Sequence, residues 1–140
     1  MPARPTITIG VPVYNGANYL RDALGSIARQ TFQDYRVIIS DNASTDATPE
    51  IARSAAAADP RIAYRRNPVN IGGNCNFDKV FAHCTTPYFV WIGHDDMIAP
   101  EFLATCLESL ESRPDVVQSA CRTLYIDPEG KPTPINPATG

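Results

Sequence analysis

The sequence predicts an α/β fold: a mostly parallel sheet covered by helices on both faces. Three observations predict it. Short apolar, β-branched runs alternate with stretches of helical period, which is the pattern of βαβ units. Polar clusters follow the strand-like runs, where parallel sheets collect ligands. The chain has 140 residues, 44% hydrophobic and 19% charged, an ordinary size and composition for one soluble core.

Each element follows in order. Residues 6–13 (TITIGVPV) form the first strand, and Asn15-Gly16 supplies turn chemistry after it. Tyr19, Leu20, Ala23, Leu24 and Ile27 recur at helical spacing, and that helix fades near Gln30-Thr31. Residues 35–40 (YRVIIS) form the second strand, ending in the polar run 41–46. Ser44 or Thr45 is placed to cap the next helix, whose first turn carries Thr48-Pro49-Glu50 and whose body is 51–58. Residues 61–66 (RIAYRR) form a third strand and Gly72-Gly73 breaks the chain. Phe77, Val80, Phe81 and Cys84 then make a helical stripe that Thr86-Pro87 ends.

Residues 88–92 (YFVWI) are the strongest strand signal, followed by Gly93-His94-Asp95-Asp96 and a helix over 100–112. A fifth strand is expected over 116–120, and a further one over 123–127 turning at Pro128-Glu129-Gly130. The expected organisation is one domain over 1–127 and an irregular tail over 128–140.

The net charge of -3, from 12 basic and 15 acidic residues without a basic stripe, argues against a nucleic acid polymer as partner. The cysteines at 75, 84, 106 and 121 show no CxxC pair, so neither a zinc knuckle nor a dithiol redox site is expected, and reduced, mostly buried thiols are. With no signal-peptide core and no long apolar stretch, the expected compartment is the cytoplasm.

Asp95-Asp96 follows the fourth strand directly, and two adjacent carboxylates repel unless a cation or donors compensate them. For a bare Asp-Asp, a solvated loop or a helix-capping pair is the commoner explanation, so the pair alone is a weak signal. Oxygen ligands suit Mg²⁺ or Mn²⁺ bridging to phosphate. His94 can touch phosphate, ligate the metal or orient a carboxylate. Asp41 and Asn42 offer an acceptor and an amide to a base edge. Neither GxGxxG nor GxxxxGK[ST] occurs, so phosphates here need a metal.

Taken together, Val11-Pro12-Val13-Tyr14-Asn15, Gln30-Thr31-Phe32, the run 40–48 (SDNASTDAT), Asn70-Ile71-Gly72-Gly73 and the run 91–96 (WIGHDD) before Pro100-Glu101-Phe102-Leu103 resemble the inverting GT-A glycosyltransferases of family 2. The resemblance spans residue 6 to about 124 and implies a GT-A, Rossmann-like fold that transfers a sugar from a nucleotide-diphosphate sugar to an acceptor hydroxyl with inversion. By that resemblance Pro12, Tyr14 and Asn15 line the nucleotide pocket, with Tyr14 stacking on the base. Asp41 or Asn42 recognises the base edge, and Asn70 and Gly72 approach the nucleotide. Asp95 sits near ribose and diphosphate, and Asp96 holds Mg²⁺ or Mn²⁺, with Asp95 and His94 as further candidate ligands.

Gly93 stands where many members carry an additional Asp. No residue matches the family's general base, so the catalytic base is unassigned. Expected partners are the donor and a sugar or lipid-linked acceptor, with a homodimer or a chain carrying the acceptor half completing the site. Because members commonly build surface polysaccharides or modify lipid-linked acceptors, contact with the inner face of the membrane is a further expectation. The alternative is a non-catalytic nucleotide-sugar-binding or assembly module. A nucleotidyltransferase is disfavoured by a first loop, Tyr14-Asn15-Gly16-Ala17-Asn18, that lacks basic residues.

Overall fold

Ile7, Ile9, Val11 and Val13 alternate with Thr8, Gly10 and Pro12 in a strand with no polar face, and such a strand is stable only between neighbours and between layers. The computed structural model, which describes residues 5–133, places it there. Strand β1 (Ile7–Val13) is buried at every position. It pairs in parallel with β2 (Tyr35–Asp41) on one side and β4 (Tyr88–Trp91) on the other, and β2 pairs in parallel with β3 (Ile62–Arg66). The sheet order is β3-β2-β1-β4.

The helices connect these strands. Helices α1 (Leu20–Ala28) and α2 (Thr48–Ala58) follow β1 and β2 and pack beside each other. Helix α3 (Gly73–Phe81) lies against β1 and β2. Moving outward through β2 to β3 and then back across to β4, right-handed crossovers put α1 and α2 on one face and α3 on the other. The expected α/β architecture with both faces covered is the one observed.

Gln30 fixes the chain that leaves β4. Its buried side chain donates to Ala99 O at 2.7 Å and accepts from Leu103 N at 3.0 Å, while Thr31 N donates to Pro100 O at 2.8 Å. These bonds tie the segment after Asp96 to the end of α1. Helix α4 (Phe102–Glu111) starts there.

The chain divides into two units, Met1–Ala104 and Thr105–Gly140. The second holds most of α4, a turn over 128–130 and one antiparallel bridge, Ile126 to Pro132. Of the expected tail 128–140, residues 134–140 lie outside the described residues.

Several sequence expectations are corrected. The run 116–120 is not a strand: it pairs with nothing among the described residues and Val117 is 96% exposed. β-branched residues do not hold a strand without a ladder partner. The run 123–127 contributes only the single bridge. Helix α2 is not capped by Ser44 or Thr45; its N-cap is Ala47, and Asp46 Oδ1 accepts from Thr48 N at 3.0 Å. Helix α3 ends at Phe81, before Cys84, and of its expected stripe only Val80 is fully buried. Phe77 and Phe81 instead form an exposed aromatic cluster with Phe89 and Trp91 of β4. None of the cysteines is buried.

Candidate functional site

The chain runs from β1 outward through β2 to β3 and then returns to the other side of β1 to make β4, so the switch point lies between the carboxyl ends of β1 and β4, where such sheets bind ligands. Pro12 is compatible with a central strand because of this geometry. Gly10 O accepts from Ile92 N, so alternate residues of β1 point toward β4, yet the pairing with β4 stops at Gly10. The N–H that Pro12 lacks would face past the end of that ladder, and no strand bond is lost.

The loops after β1 and β2 are joined by their polar groups. Asn15, in the left-handed region at φ 52, donates its backbone N–H to Ser44 Oγ at 2.9 Å. Its side-chain oxygen accepts from Thr45 N at 2.8 Å. Gly16 N donates to Thr48 Oγ1 at 2.9 Å and Ala17 N to Asp46 Oδ2 at 3.0 Å. Tyr14, 45% exposed, projects at the start of this joined pair of loops. Asn15 is therefore spent on holding the loops, and Tyr14 is the free surface.

Asp41, 0% exposed, is saturated from within. Its Oδ1 accepts from Ser44 N at 2.8 Å, and its Oδ2 accepts from Tyr64 Oη at 2.6 Å and Arg66 Nη1 at 2.8 Å. Burial alone would raise its pKa, but the bonds from Ser44, Tyr64 and Arg66 outweigh burial and hold the carboxyl below the ordinary value. Burial, with the bond to Asp41, pushes the Tyr64 phenol up. Arg66 sits opposite Asp41 in the parallel register, and its Nη2 also donates to Ser44 O at 2.9 Å. Its side chain is 40% exposed.

Asn42 is equally committed. Its amide donates to Asn70 Oδ1 at 2.9 Å and Gly72 O at 3.2 Å, and its oxygen accepts from Asn67 Nδ2 and Ile71 N, both at 3.0 Å. Asn67 also donates to Asn76 Oδ1, which accepts from Ser40 Oγ, while Asn76 Nδ2 donates to Ser40 O. The network orients the loop after β3. Asn70 is exposed there, and Gly72, at φ 85, starts α3 in a conformation that favours glycine.

The loop after β4 behaves differently. Asp95 and Asp96 are exposed, and among the described residues no side chain or cation pairs with either carboxylate. Both fold over Gly93: a β-carbon there would lie 2.5 Å from Asp96 Oδ2 and 3.0 Å from Asp95 Oδ1. His94 packs its ring on Gly16, where a β-carbon would meet its Cδ2 at 2.4 Å. That contact brings the first and fourth loops together. Among the described residues no three His, Cys, Asp or Glu side chains form a metal-holding group, so His94 is not gathered with the two aspartates. Two unpaired, converging carboxylates nevertheless fit Mg²⁺ or Mn²⁺, which takes its other ligands from water and phosphate.

Sequence reasoning did not single out Tyr64, Arg66, Asn67 or Asn76. The first two stand two apart on β3 and so share a face, a signal that was available. Nothing in the sequence pairs Asn67 and Asn76 with Asn42.

Comparison with known proteins is consistent across sequence and structure. Residues 8–136 match the family model described as Glycosyl transferase family 2. Abequosyltransferase RfbV of Salmonella typhimurium (strain LT2) is 37% identical over 113 residues, covering 79% of this chain and 34% of that protein. Mannosyltransferase PcManGT from Pyrobaculum calidifontis, in complex with GDP-Man and Mn2+, is similar with a TM-score of 0.70 and 27% identity, over 78% of this chain and 33% of that one. S. aureus TarS 1-349 in complex with UDP shares the fold, with a TM-score of 0.71 and 23% identity, over 76% of this chain and 32% of that one. The chain spans about a third of the length of these relatives.

Proposed function

The chain belongs to glycosyl transferase family 2, and on that premise we propose that it binds a nucleotide-diphosphate sugar together with Mg²⁺ or Mn²⁺, as the donor half of a sugar transfer to an acceptor hydroxyl. The observation that carries this reading is the pair of unpaired carboxylates converging over Gly93, on a loop packed by His94 against the loop of Tyr14. The ligands named for the two solved relatives, GDP-Man with Mn2+ and UDP, support a nucleoside diphosphate as the leaving group.

In this reading Tyr14 offers its exposed ring to the base, above buried Pro12, and Asn15 keeps the two loops joined beneath it. Asp41 has no free face and acts through Arg66, whose half-exposed guanidinium it holds in place to donate to the base edge. Asn42 acts in the same indirect way, holding Asn70 and Gly72 toward the nucleotide. Asp96 is assigned as the principal metal ligand, with Asp95 beside it toward ribose and diphosphate, and His94 as the wedge that sets their loop.

A divalent cation bound there would stabilise the charge that grows on the departing diphosphate. This chain's own residues hold the donor so that its anomeric carbon faces an acceptor, and attack opposite the diphosphate inverts the configuration. The general base is not assigned to any residue here. No helix among the described residues is long and apolar enough to cross a membrane, and placement at the inner face of a membrane remains part of the proposal.

Calorimetric titration of the chain with UDP, GDP, CDP and ADP, each with and without Mn²⁺, tests the reading. Metal-dependent binding of at least one of them is expected. If none binds more tightly with the metal, the donor-site assignment is wrong.

A further inference from the structure

We propose that Cys106 and Cys121 are a modification site, closing reversibly into a disulfide that staples the segment after α4 back onto the helix. Their sulfurs lie 3.6 Å apart, in contact, while Cys106 is half-exposed and Cys121 exposed. No other sulfur–sulfur contact occurs among the described residues, since Cys84 instead meets Thr86 and Cys75 stands exposed at the start of α3.

Closing the bond requires the separation to shorten from 3.6 Å to about 2.05 Å. One partner sits on regular helix and the other on a run without regular structure, so the flexible side can supply the movement. No helix turn or strand ladder has to break.

A small-molecule disulfide is the oxidant. One protein thiolate attacks it, releasing one small thiol and leaving a mixed disulfide. The second protein thiol loses its proton and attacks that sulfur, releasing another small thiol. The two protein thiols are oxidised and the small disulfide is reduced to two thiols. Because the partners already touch, the second step is intramolecular and outruns reversal. Burial and the neighbouring Cys106 raise the Cys121 thiol above its ordinary value, so closure quickens as pH rises.

The test exposes the whole chain to oxidised glutathione, counts free thiols, and digests with a glutamate-specific protease. That protease separates the peptide 102–108, carrying Cys106, from the peptide 112–129, carrying Cys121. These two peptides are expected to be joined, removing two of the four thiols as a single bond, while any loss at the exposed Cys75 appears as a glutathione adduct, and dithiothreitol restores them all. Cys106→Ser should instead keep glutathione on Cys121. Cys106 and Cys121 both remaining free thiols, a bridge from either to Cys75 or Cys84, or stable glutathione adducts on Cys106 or Cys121 of the unaltered chain would each overturn the proposal.

Discussion

The loops after β2 and β3 and the loop after β4 lie at the same edge of one sheet, yet they treat their polar groups in opposite ways. Around the first pair, Asp41 at the end of β2, Asn42, Asn67 and Asn76 of α3 are buried and every one is bonded to another residue of the chain. In the second, Asp95 and Asp96 face solvent with no partner among the described residues. Both arrangements follow from the cost of leaving a buried polar group unbonded. Groups that are enclosed must satisfy each other and become scaffold. Groups left open and of like charge are stable only through water or a ligand, and they form the part of the site that can respond to one.

This contrast can be broken most forcibly from the scaffold side. Asn42→Leu takes one of two partners from the Asn67 amide and from Asn70 Oδ1, and the side-chain partner from the N–H of Ile71 and from Gly72 O, and should lower the unfolding free energy by roughly 2 to 4 kcal/mol in urea titration. A loss below about 0.5 kcal/mol would mean that the network is not a single unit. On the open side, Asp96→Asn should weaken metal-dependent nucleotide binding by about 100-fold while the melting temperature holds or rises, because a like-charge contact is relieved. A fall in melting temperature would place Asp96 in the scaffold instead.

The link between the two sides is the packing of His94 on Gly16. Gly16→Ala drives a methyl group into that ring and into Val13, and should reduce nucleotide affinity by about 10-fold, less than loss of the carboxylate does. Arg66→Met, with Asp41 losing its cation, gives the pH-dependent version. Because the folded pKa of Asp41 is lowered, its stabilisation is complete above the ordinary value of 3.8 and is lost as pH falls through the lower folded value. The urea midpoint should therefore drop more steeply between pH 3.8 and the lower folded value in the unaltered chain than in the variant, and parallel curves would remove Arg66 from the interaction.

The sequence carried the strands and their loops well, for a physical reason. β1 and β2 are buried on all sides, so their apolar runs have no alternative reading, and the polar residues that end them sit at the carboxyl edge by topology alone. Asp95-Asp96 was legible as a pair because adjacency is visible in one dimension. What Asp41 touches was not, since Tyr64 and Arg66 reach it only through the β2–β3 register. The run 116–120 misled because β-branched residues report a preference, while a strand depends on a partner the sequence does not display. The aromatic residues of α3 misled in the same way: Phe77 and Phe81 have the spacing of a buried stripe, but β4, beside which they pack, is itself half-exposed.

Gly93 limits the mutational routes open to this loop. Any side chain there meets the Asp96 carboxylate at 2.5 Å, so an added acid at position 93 does not leave the existing pair of carboxylates where it is. It first displaces the Asp96 carboxylate. Because those carboxylates are exposed and unpaired among the described residues, they can turn aside, so the cost of such a step falls on the placement of the two aspartates rather than on the fold of the loop.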